Sequence, residues 1–144
     1  MGKTIHSFQA RVISLFALFF LVSGFAFAGT ISNSSHSTIA YVDSSGRVEN
    51  SSHSTIGYFS GETVENSSHS TIGYIRSDGT VENSSHSTIG FIRDGVVENA
   101  SHSTIGYVRS GYVENSSHST IGYYDDVDEK WAAAYFFFFF GKAS

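Results

Sequence analysis

The chain has no cysteine and no proline, and only one tryptophan and one methionine in 144 residues. Without cysteine no disulfide can hold the fold, and no lipid-modified cysteine can anchor it. Without proline nothing forbids continuous strand pairing. Charge is sparse, at 15% of residues, and the formal net charge is −5. That balance argues against nucleic acid and against anionic membrane surfaces as partners. At this length the chain is at most one ordinary domain.

The first 28 residues read as a signal peptide. Lys3 and Arg11 make a positive start, Val12 to Phe25 is apolar, and Ala26-Phe27-Ala28 supplies the small-x-small pattern cut by signal peptidases. The apolar run is short of the roughly 20 residues that a membrane span needs, although a retained anchor is the alternative. Cleavage removes Lys3 and Arg11 and no acid, which moves the formal charge from −5 to −7. An exported protein, periplasmic or secreted, is expected.

What fills the rest is one phrase. Val48 to Tyr58 reads Val-Glu-Asn-Ser-Ser-His-Ser-Thr-Ile-Gly-Tyr, and it returns from Val64, Val81, Val97 and Val113 with at most small changes. A looser copy runs from Ile31 to Tyr41. Its asparagines stand at 33, 50, 66, 83, 99 and 115, spaced by 17, 16, 17, 16 and 16. A fixed period of this kind means repeat architecture. The slippage falls between Tyr and Val, as in Val42 to Arg47 against Phe59 to Thr63, so that segment is a loop tip.

Each unit holds two short strands. One is Ser-Thr-Ile-Gly-Tyr with a further apolar residue (Val42, Phe59, Ile75, Ile92, Val108, Tyr124), rich in β-branched and aromatic types. The other is Val-Glu-Asn. Gly-bearing tips join them on one side, and Asn-Ser-Ser-His, suited to Asx and ST turns, joins them on the other. Six copies predict twelve antiparallel strands, with the strand near Thr30 to Ser32 free to pair with that near Thr120 to Tyr124. Closure removes both aggregation-prone edges. Simple alternation puts Ile39, Tyr41 and Val48 on the inner face, and Thr38, Ala40 and Glu49 on the solvent face.

A barrel of twelve strands is too wide for Ile and Val to fill, since about eight is the limit for side-chain filling. The C-terminus offers the filling. Asp125 to Glu129 places acids at a helix start, followed by Trp131-Ala132-Ala133-Ala134-Tyr135 and Phe136 to Phe140. Gly141-Lys142 reads as the helix end. A helix of about a dozen residues, near 18 Å long, matches the height of the strands. Apolar all round, it is expected at the centre of the barrel, with Trp131, Tyr135, Phe136, Phe137, Phe138, Phe139 and Phe140 as the plug. The alternative is an exposed tail for membrane contact or oligomerisation. The division is therefore 1–28 signal peptide, 29–124 barrel, and 125–144 acidic linker and hydrophobic helix.

Hairpins carrying Ser-Thr-Ile-Gly-Tyr with Ser-Gly or Asp-Gly tips resemble the petals of the β-flower family. Its shallow symmetric barrels are similar in shape to the tubby C-terminal domain and the scramblases, in which twelve strands enclose a hydrophobic helix. The tubby likeness implies a basic phosphoinositide pocket. Arg47, Arg76, Arg93 and Arg109 instead sit singly near the tips, beside Asp43, Asp78 and Asp94, so that property is not carried over.

The repeat sets a His in each copy: His36, His53, His69, His86, His102 and His118. Imidazole suits transition metals, but a metal needs three or four donors about 2 Å away. Equivalent positions two strands apart lie about 9 to 10 Å from each other. These residues are rim candidates for a metal, and otherwise turn residues with local hydrogen bonds, whose protonation near pH 6 would alter the rim. Each Asn also lies in an Asn-x-Ser sequon, a glycan site if the source is eukaryotic. Catalysis needs one asymmetric constellation, which near-identical copies do not provide, so no enzyme, catalytic residue or cofactor is expected. The expected role is structural or binding, as a monomer. The alternatives are a carrier holding an apolar ligand such as a lipid in the barrel, and a parallel β-solenoid adhesin or ice-contacting protein.

Overall fold

A computed structural model describes residues 28–141. Residues 1–27, which hold nearly all of the expected signal peptide, and 142–144, with Lys142, lie outside the described residues. The strands are β1 (Gly29–Asn33), β2 (Thr38–Val42), β3 (Arg47–Asn50), β4 (Thr55–Ser60), β5 (Thr63–Asn66) and β6 (Thr71–Ile75). They continue with β7 (Thr80–Asn83), β8 (Thr88–Arg93), β9 (Val96–Asn99), β10 (Thr104–Arg109), β11 (Tyr112–Asn115) and β12 (Thr120–Asp125). One helix, α1 (Glu129–Phe137), follows.

Every strand pairs antiparallel with its neighbours in sequence, and β1 pairs with β12 to close the barrel. The Asn-Ser-Ser-His turns join β1 to β2, β3 to β4, and so on around the ring, making six hairpins. Glycine tips join each hairpin to the next at Gly46, Gly61, Gly79, Gly95 and Gly111, all at positive φ. At the sixth junction the chain enters at β1 and leaves β12 for the helix. The tips also stitch neighbours together: the Gly46 carbonyl accepts from the Phe59 N–H at 2.8 Å, and the Gly79 carbonyl from Ile92 at 2.8 Å.

The inner face differs from the alternation expected above. Ile31 pairs with Ala40, but Ser32 pairs with Thr38, so Ile39 is an extra residue in a β-bulge. The same shift recurs on the β3 to β4, β5 to β6, β7 to β8, β9 to β10 and β11 to β12 pairings. A bulge breaks the period of two. As a result Ala40 is fully buried beside the core-packed Ile39, whereas Tyr41 stands outside, paired with Glu49. Val42 and Val48 pair across the inner face, as do Phe59 with Val64 and Val108 with Val113.

The helix runs down the middle. Asp128 caps it, its carboxylate accepting from the N–H groups of Lys130 at 2.8 Å and Trp131 at 3.3 Å. Ala132, Ala133 and Ala134 are completely buried. Trp131 stacks on Phe59 with ring centroids 5.3 Å apart. The helix is shorter than expected: it ends at Phe137, Phe138 is its cap, and Phe138 to Phe140 leave the α-helical path. The terminal bonds widen, Phe138 N–H to Ala134, Phe139 N–H also to Ala134, and Gly141 N–H to Tyr135.

Candidate functional site

Two repeating arrangements arise from this frame, one on the outer rim and one inside. On the rim, each Asn-Ser-Ser-His turn, with Ala100 for the first Ser in the fifth, is built identically. The Asn33 side-chain oxygen accepts from the N–H groups of Ser35 and Ser37, both at 3.0 Å, and the His36 N–H donates to the Asn33 carbonyl at 3.0 Å. This is a type I turn followed by one left-handed residue, a common hairpin closure. That residue is the histidine in all six turns, at φ between 60° and 62°. Histidine is among the few side chains enriched there, although glycine fits at less cost.

The left-handed backbone turns each imidazole onto the aromatic ring of a neighbouring hairpin. His53 stacks on Tyr41, His69 on Tyr58, His86 on Tyr74, His102 on Phe91, His118 on Tyr107, and His36 on Tyr123 across the closure. Centroids are 4.0 to 4.4 Å apart and the planes within 18°. Five of the six also place Nδ1 within 2.9 to 3.3 Å of the Glu four residues earlier: Glu49, Glu65, Glu82, Glu98 and Glu114. His36 is the exception, because Ser32 stands at that place. The imidazoles of these pairs remain 59 to 65% exposed. Arg76, Arg93 and Arg109 lie over Tyr74, Phe91 and Tyr107 at 4.4 to 4.9 Å.

The histidines named from the sequence thus sit one per hairpin, each engaged with its own aromatic. Among the described residues no three His, Cys, Asp or Glu side chains are grouped to hold a metal ion. Two glutamates of this wall, Glu82 and Glu62, have their carboxyls held below the ordinary value. The Arg76 guanidinium, 2.8 Å from Glu82, keeps that carboxyl below its ordinary value. The Ser77 N–H and then Arg76 do the same for Glu62.

Inside, the plug residues meet a set of residues that the sequence reading passed over. A Cβ built at Gly122 would fall less than 3.0 Å from the ring of Phe136; at Gly106, from Phe137; at Gly90, from Phe138; at Gly73, from Phe139; at Gly57, from Phe140. Five glycines of the Ile-Gly pair each take one ring of the five-phenylalanine run. The equal numbers were visible in the sequence, but the pairing needs the ring closed. The sixth equivalent residue is Ala40. The rings are half-buried at the end of the barrel that bears the histidine turns, flanked by half-buried Ile39, Ile56, Ile72, Ile89, Ile105 and Ile121. Trp131 lies nearer the glycine tips, where Lys130 Nζ donates to the Ser77 carbonyl at 3.2 Å.

A closed barrel of β-hairpins wrapped around its own C-terminal tail is the class of protein defined here. The chain belongs to the family described as 5-fold beta-flower protein, which it matches over residues 28–140. Five hairpin-to-hairpin tips close within the chain, and the sixth sector is completed by the pairing of β1 with β12. No curated protein and no solved structure matches it.

Proposed function

We propose that the protein is an exported, non-enzymatic barrel that binds a repetitive ligand through its rim of six His-on-aromatic units. The observation that carries this reading is the division of the molecule: the interior is occupied by the chain's own Ala132 to Phe140, while the exposed feature repeated in every hairpin is the stacked imidazole. Identical weak sites at regular spacing gain by avidity what none has alone. Stacked rings bordered by Glu, Ser and Thr suit a neutral polyhydroxylated polymer, with rings for its C–H faces and side-chain oxygens for its hydroxyls. The full occupation of the barrel weighs against the carrier reading, which requires the phenylalanine run to leave.

The test is titration of the processed protein with a soluble polysaccharide and with its monosaccharide unit, alongside a native mass spectrum. Polymer binding at least ~10²-fold tighter than monomer binding is expected, falling step by step as His53, His86 and His118 are replaced by Ala. Equal affinity for both forms sinks the avidity reading. An apolar molecule carried in the native spectrum and lost on denaturation replaces it with the carrier.

A further inference from the structure

Residues Phe136 to Phe140 address the hairpins in strict reverse order, one residue per hairpin: Gly122, Gly106, Gly90, Gly73, Gly57. Six hairpins around a circle are about 60° apart, whereas an α-helix turns by about 100° per residue. A regular helix therefore cannot keep this match. Phe136 and Phe137 begin the match while still in α1, and the backbone then widens, from the Phe138 N–H bonded four residues back, to the Phe139 N–H bonded five back and the Gly141 N–H bonded six back. The last three members of the match, Phe138 to Phe140, thus lie beyond the end of α1 at Phe137, where the backbone has left the α-helical path.

One step back along the chain from Phe136, and one hairpin on around the ring from β11–β12, lie Tyr135 and Ala40. The Tyr135 ring sits 5.5 Å from Phe136 and 6.2 Å from Phe140, whose sectors flank that of Ala40. Tyr135 is 6% exposed and Ala40 is fully enclosed. Near-identical hairpins pose a problem of degeneracy, because a tail of similar rings has several nearly equivalent rotational seats. Symmetric designs need an element that raises the energy of the wrong ones. Any slip by whole hairpins would bring a phenylalanine against Ala40, whose methyl takes the space that a ring uses at each glycine.

We infer that Tyr135 to Phe140 is a six-residue aromatic run read one residue per hairpin, and that Ala40 is the specificity-determining residue that fixes its rotational register. Tyr135 is the member seated at the mark. Each phenylalanine ring lies where a Cβ on its glycine would stand, a space crowded also by a carbonyl oxygen of the neighbouring strand, and the sector that carries a Cβ rejects all five. Ala40 therefore acts on which seat the tail takes, beyond its share of the core.

Paired substitutions in the full processed chain test both halves. Gly90→Ala should lower the melting temperature, because its Cβ would meet both the Glu98 carbonyl oxygen and the Phe138 ring. Adding Phe138→Leu should recover the ring's share of that loss, whereas adding Phe137→Leu should recover none. Should Gly90→Ala not fold, the comparison is whether the Phe138→Leu double variant folds and the Phe137→Leu one does not. Equal rescue by both overturns the one-to-one reading. For the mark, NMR of ring-labelled tyrosine and phenylalanine should give one set of signals in the parent and in Ala40→Ser, and additional sets in Ala40→Gly. A single set in Ala40→Gly assigns register to the short Asp126 to Asp128 connection and overturns the role of Ala40. Failure of Ala40→Gly to fold overturns it too, since removing a mark adds seats and takes none away.

Discussion

A Cβ placed on Gly57 would stand 2.5 Å from Cε1 and Cζ of Phe140 and would also meet the Glu65 carbonyl oxygen, so ring and neighbouring strand together occupy the volume of the missing side chain. Gly61, four residues on, has nothing within 4 Å of the same hypothetical atom, and only its φ of +58° opposes a side chain. Gly57→Ala should therefore cost about 3 kcal/mol through overpacking. Gly61→Ala should cost about 1 kcal/mol through left-handed strain. Urea unfolding of the two variants distinguishes them. Equal losses would mean that both the phenylalanine ring and the Glu65 carbonyl yield freely.

The Asx turns stabilise through named bonds. Asn66 accepts from Ser68 at 2.9 Å and from Ser70 at 3.0 Å. Asn66→Ala should cost about 1 to 2 kcal/mol, and Asn66→Asp, which keeps the acceptor, clearly less. Asn66 and Asn115 share no partner, so their losses should add. Chemical denaturation of the single and double variants checks both statements.

At the rim, strain and stacking oppose each other. Replacing His53 by Gly relieves a left-handed backbone at φ 61° but removes the stack on Tyr41 and the Glu49 contact at 3.2 Å. The stack is worth about 0.5 to 1.5 kcal/mol and the strain is of similar size. His53→Gly should thus change stability by less than about 1 kcal/mol while weakening ligand binding. His36→Gly gives up no carboxylate contact and should be the more favourable of the two. Thermal melts rank them. A large loss in either would make the stack structural first.

Acid should weaken the wall between the second and fourth hairpins. Glu62 and Glu82 are held below the ordinary carboxylate value of 4.5 by Ser77 and Arg76, and Asp78 is lowered by the Thr80 N–H. A depressed folded pKa contributes stability that is present above the unfolded value and lost as pH falls through the folded one. The melting temperature should therefore hold down to about pH 5 on this account and decline below pH 4.5, less steeply in Arg76→Ala. A pH-independent difference between parent and variant would show that these contacts contribute nothing through protonation.

Much of this architecture was legible in one dimension. The 16 to 17 residue period, the Gly tips and the Asn-Ser-Ser-His turns define short local hairpins, and local turn chemistry acts between residues adjacent in the chain. The breadth of a twelve-strand ring called for a filling, and the alanine and phenylalanine tail was the apolar segment outside the repeat that remained with it. The family resemblance drawn from the hairpins agrees with the match over residues 28–140.

What the sequence could not determine depends on residues far apart in it. The bulge at Ile39 reversed the expected places of Ala40 and Tyr41, because an extra residue in a ladder is defined by the partner strand and leaves no mark in periodicity. The stacking of each histidine on the preceding hairpin's ring required the strands to be laid side by side. The pairing of each phenylalanine with one hairpin's glycine is a property of the closed circle that no single repeat contains. Local chemistry determined the hairpin; closure of the ring decided which residues face inward and where each aromatic of the tail must stand.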